Sequence, residues 1–232
     1  VFGIYSDSAC KNLLVQMPAT DSNGTSEVEI PKTQDTVYLK EISVPEGYKL
    51  NTESFNVKLE TGKTTSVAVT NEEQKGKITI RKKGEVLTGV TGEEGNLTFV
   101  YGAEYNIYAA EDIYSQDKVT KVHKAGDLVE SLTTGEDGSA VSKELYLGKY
   151  KVVEQKAPEN LVIGKTEQER TQFLTLSYAG QNVELSQGET VFTNARPEIS
   201  VNVVKKSKHD DVTLEGATFG LYVEEDLTER SL

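Results

Sequence analysis

Tryptophan is absent from the 232 residues, and there is one cysteine, one methionine and five prolines. A lone Cys10 excludes an intrachain disulfide and a cysteine-built zinc site. The two histidines, His123 and His209, stand far apart in sequence, which argues against catalysis by a histidine base. No apolar run approaches the length that crosses a bilayer, so no membrane insertion is expected in this stretch. Val1-Phe2-Gly3-Ile4-Tyr5 lacks the basic-then-apolar order of a signal peptide, and any targeting or anchoring signal is expected outside these residues. Positive charge is also short. With 25 basic and 37 acidic residues the net charge is −12, which argues against a nucleic-acid partner and for a solvated, self-repelling surface.

Helical periodicity is weak throughout. What the chain has instead is short Val-, Ile-, Thr- and Tyr-rich stretches separated by turn residues, which predicts an all-β fold with one sandwich per repeat. Asp137-Gly138 and Asn23-Gly24 are hairpin candidates. Asp137 is not followed by an alternating ligand series, so a plain turn is expected there rather than a calcium loop. No cofactor and no metal are expected.

Self-similarity organises the chain. Phe2-Gly3-Ile4-Tyr5, Tyr105-Asn106-Ile107-Tyr108 and Phe219-Gly220-Leu221-Tyr222 are three versions of one strand, and Ala110-Glu111-Asp112-Ile113 matches Glu224-Glu225-Asp226-Leu227. Tyr38 to Glu46 matches Tyr150 to Glu159. Val69-Thr70-Asn71 matches Phe192-Thr193-Asn194, and Ile78 to Lys82 matches Val201 to Lys205. Asn71 precedes Lys82, and Asn194 precedes Lys205, by the same 11 residues. The expected organisation is one complete repeat, 76–196, between a repeat at 1–75 lacking its first strand and the opening fragment of a third at 197–232. A segment from about Glu85 to Tyr101 has no counterpart in the third copy and reads as an extra hairpin turning at Gly92 to Gly95.

Strand parity then places particular polar residues inward, because side chains alternate faces with a period of two. Tyr150 and Val152 share a face with Glu154; Val37 and Leu39 with Glu41; Ile78 and Ile80 with Lys82; Val201 and Val203 with Lys205. Val67 and Val69 share one with Asn71, and Phe192 with Asn194. A one-residue slip would throw every one of these rows outward. Singly, each polar residue has a plainer reading: a solvated rim lysine, an edge carboxylate, a turn asparagine. Jointly they place a lysine on a first strand, a glutamate on a middle strand and an asparagine on a last strand of an apolar core. Burial favours neutral forms, and a neutral lysine amine is a nucleophile. Its attack on an asparagine side-chain carbonyl, with a carboxyl group moving the proton, expels ammonia and leaves an amide between two side chains.

These residues resemble the CnaB-type (SpaA-like) domains of Gram-positive surface adhesins and pilins. The resemblance rests on Gly76 to Lys82, Gly102-Ala103 before the Tyr105 strand, Leu147-Gly148-Lys149-Tyr150, Glu154 to Pro158 and Asn194. It implies tandem transthyretin-like or inverse-immunoglobulin β-sandwiches with a spontaneous Lys–Asn isopeptide bond assisted by Glu. Carried over, it implies a Lys82–Asn194 crosslink assisted by Glu154, Glu41 and Asn71 as the same parts of the first repeat with their lysine before Val1, and Lys205 as the nucleophile of the third. Lys83 and Lys206 are the alternatives one residue out of register. The family's Pro-x-Gly-Tyr stands at Pro45-Glu46-Gly47-Tyr48 but is Pro158-Glu159-Asn160-Leu161 in the second repeat. The Asp often found two residues after the lysine is Gly84 and Ser207 here, and no Leu-Pro-x-Thr-Gly sorting signal is present.

The function this implies is a stalk or shaft module of a cell wall-associated, extracellular adhesin or pilin, not a turnover enzyme. Its expected partners are neighbouring repeats of the same chain. The alternative is an adhesin module whose loops recognise a host extracellular-matrix protein or glycan. A glycosidase pair of Glu41 and Glu154 is disfavoured because the two lie in different repeats. A disfavoured alternative is that 196–215 docks beside the strands of Glu41 and Asn71, in another molecule or within one chain, by strand addition that offers Lys205 to Asn71.

Overall fold

The computed structural model describes residues 1–86, 96–198 and 200–220. Fifteen strands and no helix occur among them. Four come first: β1 (Phe2–Tyr5), β2 (Leu13–Gln16), β3 (Thr36–Glu41) and β4 (Ser54–Lys58). They form one antiparallel sheet in the order β2-β1-β3-β4. Its inner face carries Ile4, Val37, Leu39 and Val57, covered by partly buried Met17, Val28, Ile30 and Val69. All four lie outside strands, so loops rather than a second sheet close this core.

The central part is a true sandwich. It begins with β5 (Lys75–Val86), β6 (Asn96–Phe99) and β7 (Glu104–Ala109). A two-stranded ribbon, β8 (Ile113–Tyr114) and β9 (Lys121–His123), follows. Then come β10 (Leu128–Thr133), β11 (Ser139–Val141), β12 (Leu145–Tyr146), β13 (Gly148–Lys156), β14 (Thr171–Leu176) and β15 (Leu185–Asn194). One sheet is antiparallel, in the order β10-β7-β13-β14. The other is built on β5, which pairs in parallel with β15 along its length and, on its other side, with β12, β11 and β6 in succession. The first and last strands of the sandwich are therefore direct neighbours.

Alternation is strict where the sheets face each other. Gly76, Ile78, Ile80, Lys82 and Gly84 are buried along β5, and Tyr105, Ile107 and Ala109 along β7. Tyr150, Val152 and Glu154 are buried along β13, and Thr190, Phe192 and Asn194 along β15. The core they make includes Ile113, Val129, Leu145 and Leu176. Burial at roughly 25 cal/mol per Å² of apolar surface is what holds such a two-layer fold.

Several local expectations are corrected. Residues 64–72 form no strand, and Val67 is exposed. The physical reason is a missing partner: in the sandwich the matching strand β15 is held by the β5 ladder, and no strand lies alongside 64–72 among the described residues. Val201 and Val203 are exposed and lie outside any strand, so parity does not bury them. Asp137-Gly138 is a tight turn, with the Gly138 N–H donating to Gly135 O and the Asp137 carboxylate accepting from Ser139. It joins β10 to β11, which belong to opposite sheets, so it is a corner rather than a hairpin. Gly138 is needed there: its φ is +70°, and a Cβ would lie 2.7 Å from that of Phe99. Asn23-Gly24 also turns without joining paired strands. β5 and β6 do pair antiparallel; their expected turn at Gly92 to Gly95, and the 224–227 match, lie outside the described residues.

The N-terminal sheet and the sandwich meet along a polar seam. Gln74 is buried in it, its amide donating to Gly180 O (2.9 Å) and Val183 O (2.5 Å) while its carbonyl accepts from the Ala179 N–H (2.7 Å). Gln181 donates to Ile42 O and accepts from the Val44 N–H. Lys49 pairs with Glu72 at 2.7 Å and Glu184 at 2.5 Å, and these hydrogen bonds hold its amine above the ordinary lysine range against the cost of desolvation.

Candidate functional site

Lys82 and Asn194 come from adjacent strands of one sheet, where Phe192 stands opposite Lys82 and Asn194 opposite Gly84. Glu154 reaches them from the facing sheet. Lys82 is 0% exposed, Glu154 2% and Asn194 4%. Lys82 Nζ lies 2.5 Å from Glu154 Oε1, and Asn194 Nδ2 donates to Glu154 Oε2 at 3.1 Å. The carboxylate thus bridges the amine and the carboxamide. The Phe192 ring (its centroid 6.0 Å from Nζ) and Tyr105 wall the site with apolar surface.

The electrostatics suit a nucleophile. Burial pushes the Lys82 amine below its ordinary value, opposed by its hydrogen-bond and charge interaction with Glu154. Lys82 Nζ and Glu154 Oε1 have no partner beyond each other, and Asn194 Oδ1 has no hydrogen-bond donor. Buried polar atoms without partners are costly, by about 1–3 kcal/mol each. Ionic pairs held in a core carry a desolvation penalty on both members. A reaction that replaced the amine and carboxamide by one neutral amide would relieve part of that cost.

Glu41 is 5% exposed at the end of β3, in the place that Glu154 holds on β13. Its Oε2 accepts from Asn71 Nδ2 at 2.6 Å and from the Asn51 N–H at 2.8 Å. Glu41 and Asn71 are therefore together, and no lysine ion pair to Glu41 occurs among the described residues. Lys205 is exposed and outside any strand, with no carboxylate or asparagine of the other two sets brought to it. The off-register alternatives go elsewhere: Lys83 lies over the Phe99 ring at 5.4 Å, and Lys206 pairs with Asp211 at 3.0 Å. Asn160 takes a left-handed φ of +62°, as Gly47 does at +94°, so the altered Pro-x-Gly-Tyr turn keeps its backbone shape. Among the described residues no cluster of three or more His, Cys, Asp or Glu could hold a metal ion.

Tyr105 was the neighbour that sequence reasoning missed. It stands directly across from Glu154 in the β7–β13 ladder, 1% exposed. The signal was present: the matching residues are Phe2 and Phe219, so only the central copy carries a hydroxyl.

A family model described as SpaA, prealbumin-like fold domain, matches residues 1–73 and 100–172. The chain belongs to the SpaA prealbumin-like family. Those two segments begin at the N-terminus and just before the Tyr105 strand, so each covers one of the matching strands β3 and β13. No curated protein matches. Among solved structures, the TIE protein of Bacillus anthracis is 23% identical, with 84% of this chain and 30% of that one covered and a TM-score of 0.49. The minor pilin GBS52 of Streptococcus agalactiae is 16% identical, with 79% and 69% covered and a TM-score of 0.37. The major pilin SpaD of Corynebacterium diphtheriae is 20% identical, with 53% and 32% covered and a TM-score of 0.35. This SpaA-family chain thus spans less than a third of the TIE protein and of SpaD. The family assignment rests on the family model, and the all-β prealbumin-like architecture agrees with it.

Proposed function

We propose that this chain is a structural shaft or stalk segment of a Gram-positive surface pilin or adhesin, built of tandem repeats at 1–75, 76–196 and 197–232, whose central repeat crosslinks itself from Lys82 to Asn194. The observation that carries it is the buried Glu154 carboxylate lying between the Lys82 amine and the Asn194 carboxamide. Lys82 Nζ attacks Asn194 Cγ, passing a proton to Glu154. The tetrahedral centre collapses as Glu154 returns a proton to the departing nitrogen. One C–N bond forms, one breaks, and one ammonia leaves. Folding supplies the orientation, and effective molarities for such intramolecular reactions reach roughly 10⁵–10⁸ M.

The pilins among the similar structures point to a surface, extracellular setting, and no helix among the described residues is long and apolar enough to cross a membrane. The placement of the reacting strands supports a mechanical role. β5 and β15 are the first and last strands of the sandwich, so an amide between them would carry tension past the whole hydrogen-bonded ladder. Glu41 and Asn71 form the corresponding pair of the first repeat. The intact mass of the denatured, reduced protein tests the reading. One ammonia short of the sequence mass is the expected result, with Lys82→Ala and Glu154→Ala restoring the full value. An unshifted wild-type mass overturns it.

A further inference from the structure

Two glutamates occupy the same place in matching strands, and each stands beside a different kind of extra donor. Glu41 pairs across the sheet with Phe2, which has no polar atom to offer, and its Oε2 takes a backbone N–H from Asn51 instead. Glu154 pairs across the sheet with Tyr105. The Tyr105 hydroxyl is buried in the core that this pair enters and has no hydrogen-bond partner. The other fully buried phenol of this core, Tyr150, donates to Tyr146 O at 2.7 Å and so is engaged elsewhere.

We propose that Tyr105 is a positioning residue for amide formation, its hydroxyl holding the Glu154 carboxylate between Lys82 and Asn194 while the proton moves. The inference rests on the crosslinking reading above. Once Lys82 Nζ has given a proton to Glu154 and turned from Oε1 to attack Asn194 Cγ, the carboxyl group loses that neighbour in a site closed to water. A phenol fixed on the adjacent strand, its ring packed on Phe192 with centroids 4.9 Å apart, supplies a donor without any backbone movement. Burial, and then the Glu154 charge, hold the phenol well above its ordinary value, so it remains a donor throughout. The titratable groups that face Glu154 are Lys82 from β5 and Tyr105 from β7; β15 contributes the neutral Asn194.

The test is the rate of ammonia loss after cell-free synthesis, quenched in acid at intervals and read by intact mass. Tyr105→Phe is expected to slow the reaction about ten- to a hundredfold, the value of one hydrogen bond to a charged group. It should also move the acid side of the rate-against-pH profile upward, a shift that looser packing alone would not give. Phe already fills the matching place beside Glu41, so the variant should fold, which its thermal transition in a Lys82→Ala background checks. Should it not fold, fluorotyrosine placed at position 105 alone carries the test, since only that one of the 11 phenols is then made more acidic. Equal rates and profiles for wild type and Tyr105→Phe, or an unaltered rate with fluorotyrosine, overturn this inference alone. A wild-type chain that never loses ammonia overturns the crosslinking reading and this one with it.

Discussion

Glu41 and Glu154 close the inward rows of β3 and β13, and both are buried, yet their surroundings differ. Around Glu154 stand two sheets, with Lys82 and Asn194 delivered by neighbouring strands of the opposite one. Around Glu41 stands one sheet and a cover of loops, with Asn71 arriving from a segment that is not a strand. Parity is enough to turn a carboxylate inward. Bringing a lysine to it needs the second sheet, because Lys82 sits on a different strand from both Glu154 and Asn194.

The comparison is broken most directly by removing the bond. In the crosslinking reading the loop closed between Lys82 and Asn194 is about 110 residues long, and by the chain-entropy treatment used for disulfides it contributes roughly 4–5 kcal/mol. Lys82→Ala should therefore lower the unfolding transition of the sandwich by at least that order while leaving the N-terminal sheet's transition in place, as calorimetry would show. Loss of both transitions together would mean that the two regions unfold as one.

Core truncations sharpen the contrast. Ile80→Ala removes a side chain that is 0% exposed between two rigid sheets, and should cost about 2–5 kcal/mol. Val37→Ala, in a core whose cover is loop and free to settle, should fall at or below the lower end of that range in chemical denaturation. Equal costs would show that the loop-covered core is as unyielding as the sandwich.

The seam between the regions comes next. Gln74→Ala leaves the Ala179 N–H and the Gly180 and Val183 carbonyls without their buried partner, which costs about 1–3 kcal/mol. Small-angle scattering should then report a wider spread of angles between the two regions, with the mass and the Lys82 chemistry unaffected. An unchanged scattering profile would assign the seam's rigidity to Gln181 and Lys49.

The smallest effect concerns acid. Asp112 is held below the usual carboxylate value by Lys121 first and then by the Ala125 N–H, and Asp117 by the Thr120 hydroxyl and N–H. A folded-state value below the unfolded one means the unfolded chain binds more protons in that window, so stability is full above the ordinary value of 3.8 and is lost as pH falls below it. Both groups are exposed, so the loss should be local. Amide exchange in the β8–β9 ribbon should quicken as pH falls below that value, beyond the intrinsic trend, while β5 and β15 stay protected.

Much of the site was legible because period two is a geometric rule. Ile78-x-Ile80-x-Lys82 and Tyr150-x-Val152-x-Glu154 could be assigned a face from residue types alone, since each row contains apolar partners that fix it. The same rule failed at Val201-x-Val203-x-Lys205, and at Val67-x-Val69-x-Asn71 it held for Val69 and Asn71 but not for the exposed Val67. Parity describes a strand only where a ladder exists, and neither segment has one among the described residues. Tyr105 was visible as a departure from Phe2 and Phe219, but its meaning depended on cross-strand register with Glu154. The Gln74 seam had no sequence signal, because glutamine is ordinary at a surface and its burial depends on how two bodies meet.

The sequence by itself determined the all-β class, the family, the repeat spacing and the face on which Lys82, Glu154, Asn194 and Glu41 sit, since these follow from local alternation and self-similarity. The tertiary structure alone decided which residues touch. Lys82, Glu154, Asn194 and Tyr105 come from four strands in two sheets, and only the packing of those sheets, driven by the apolar rows beside them, sets an amine 2.5 Å from a carboxylate.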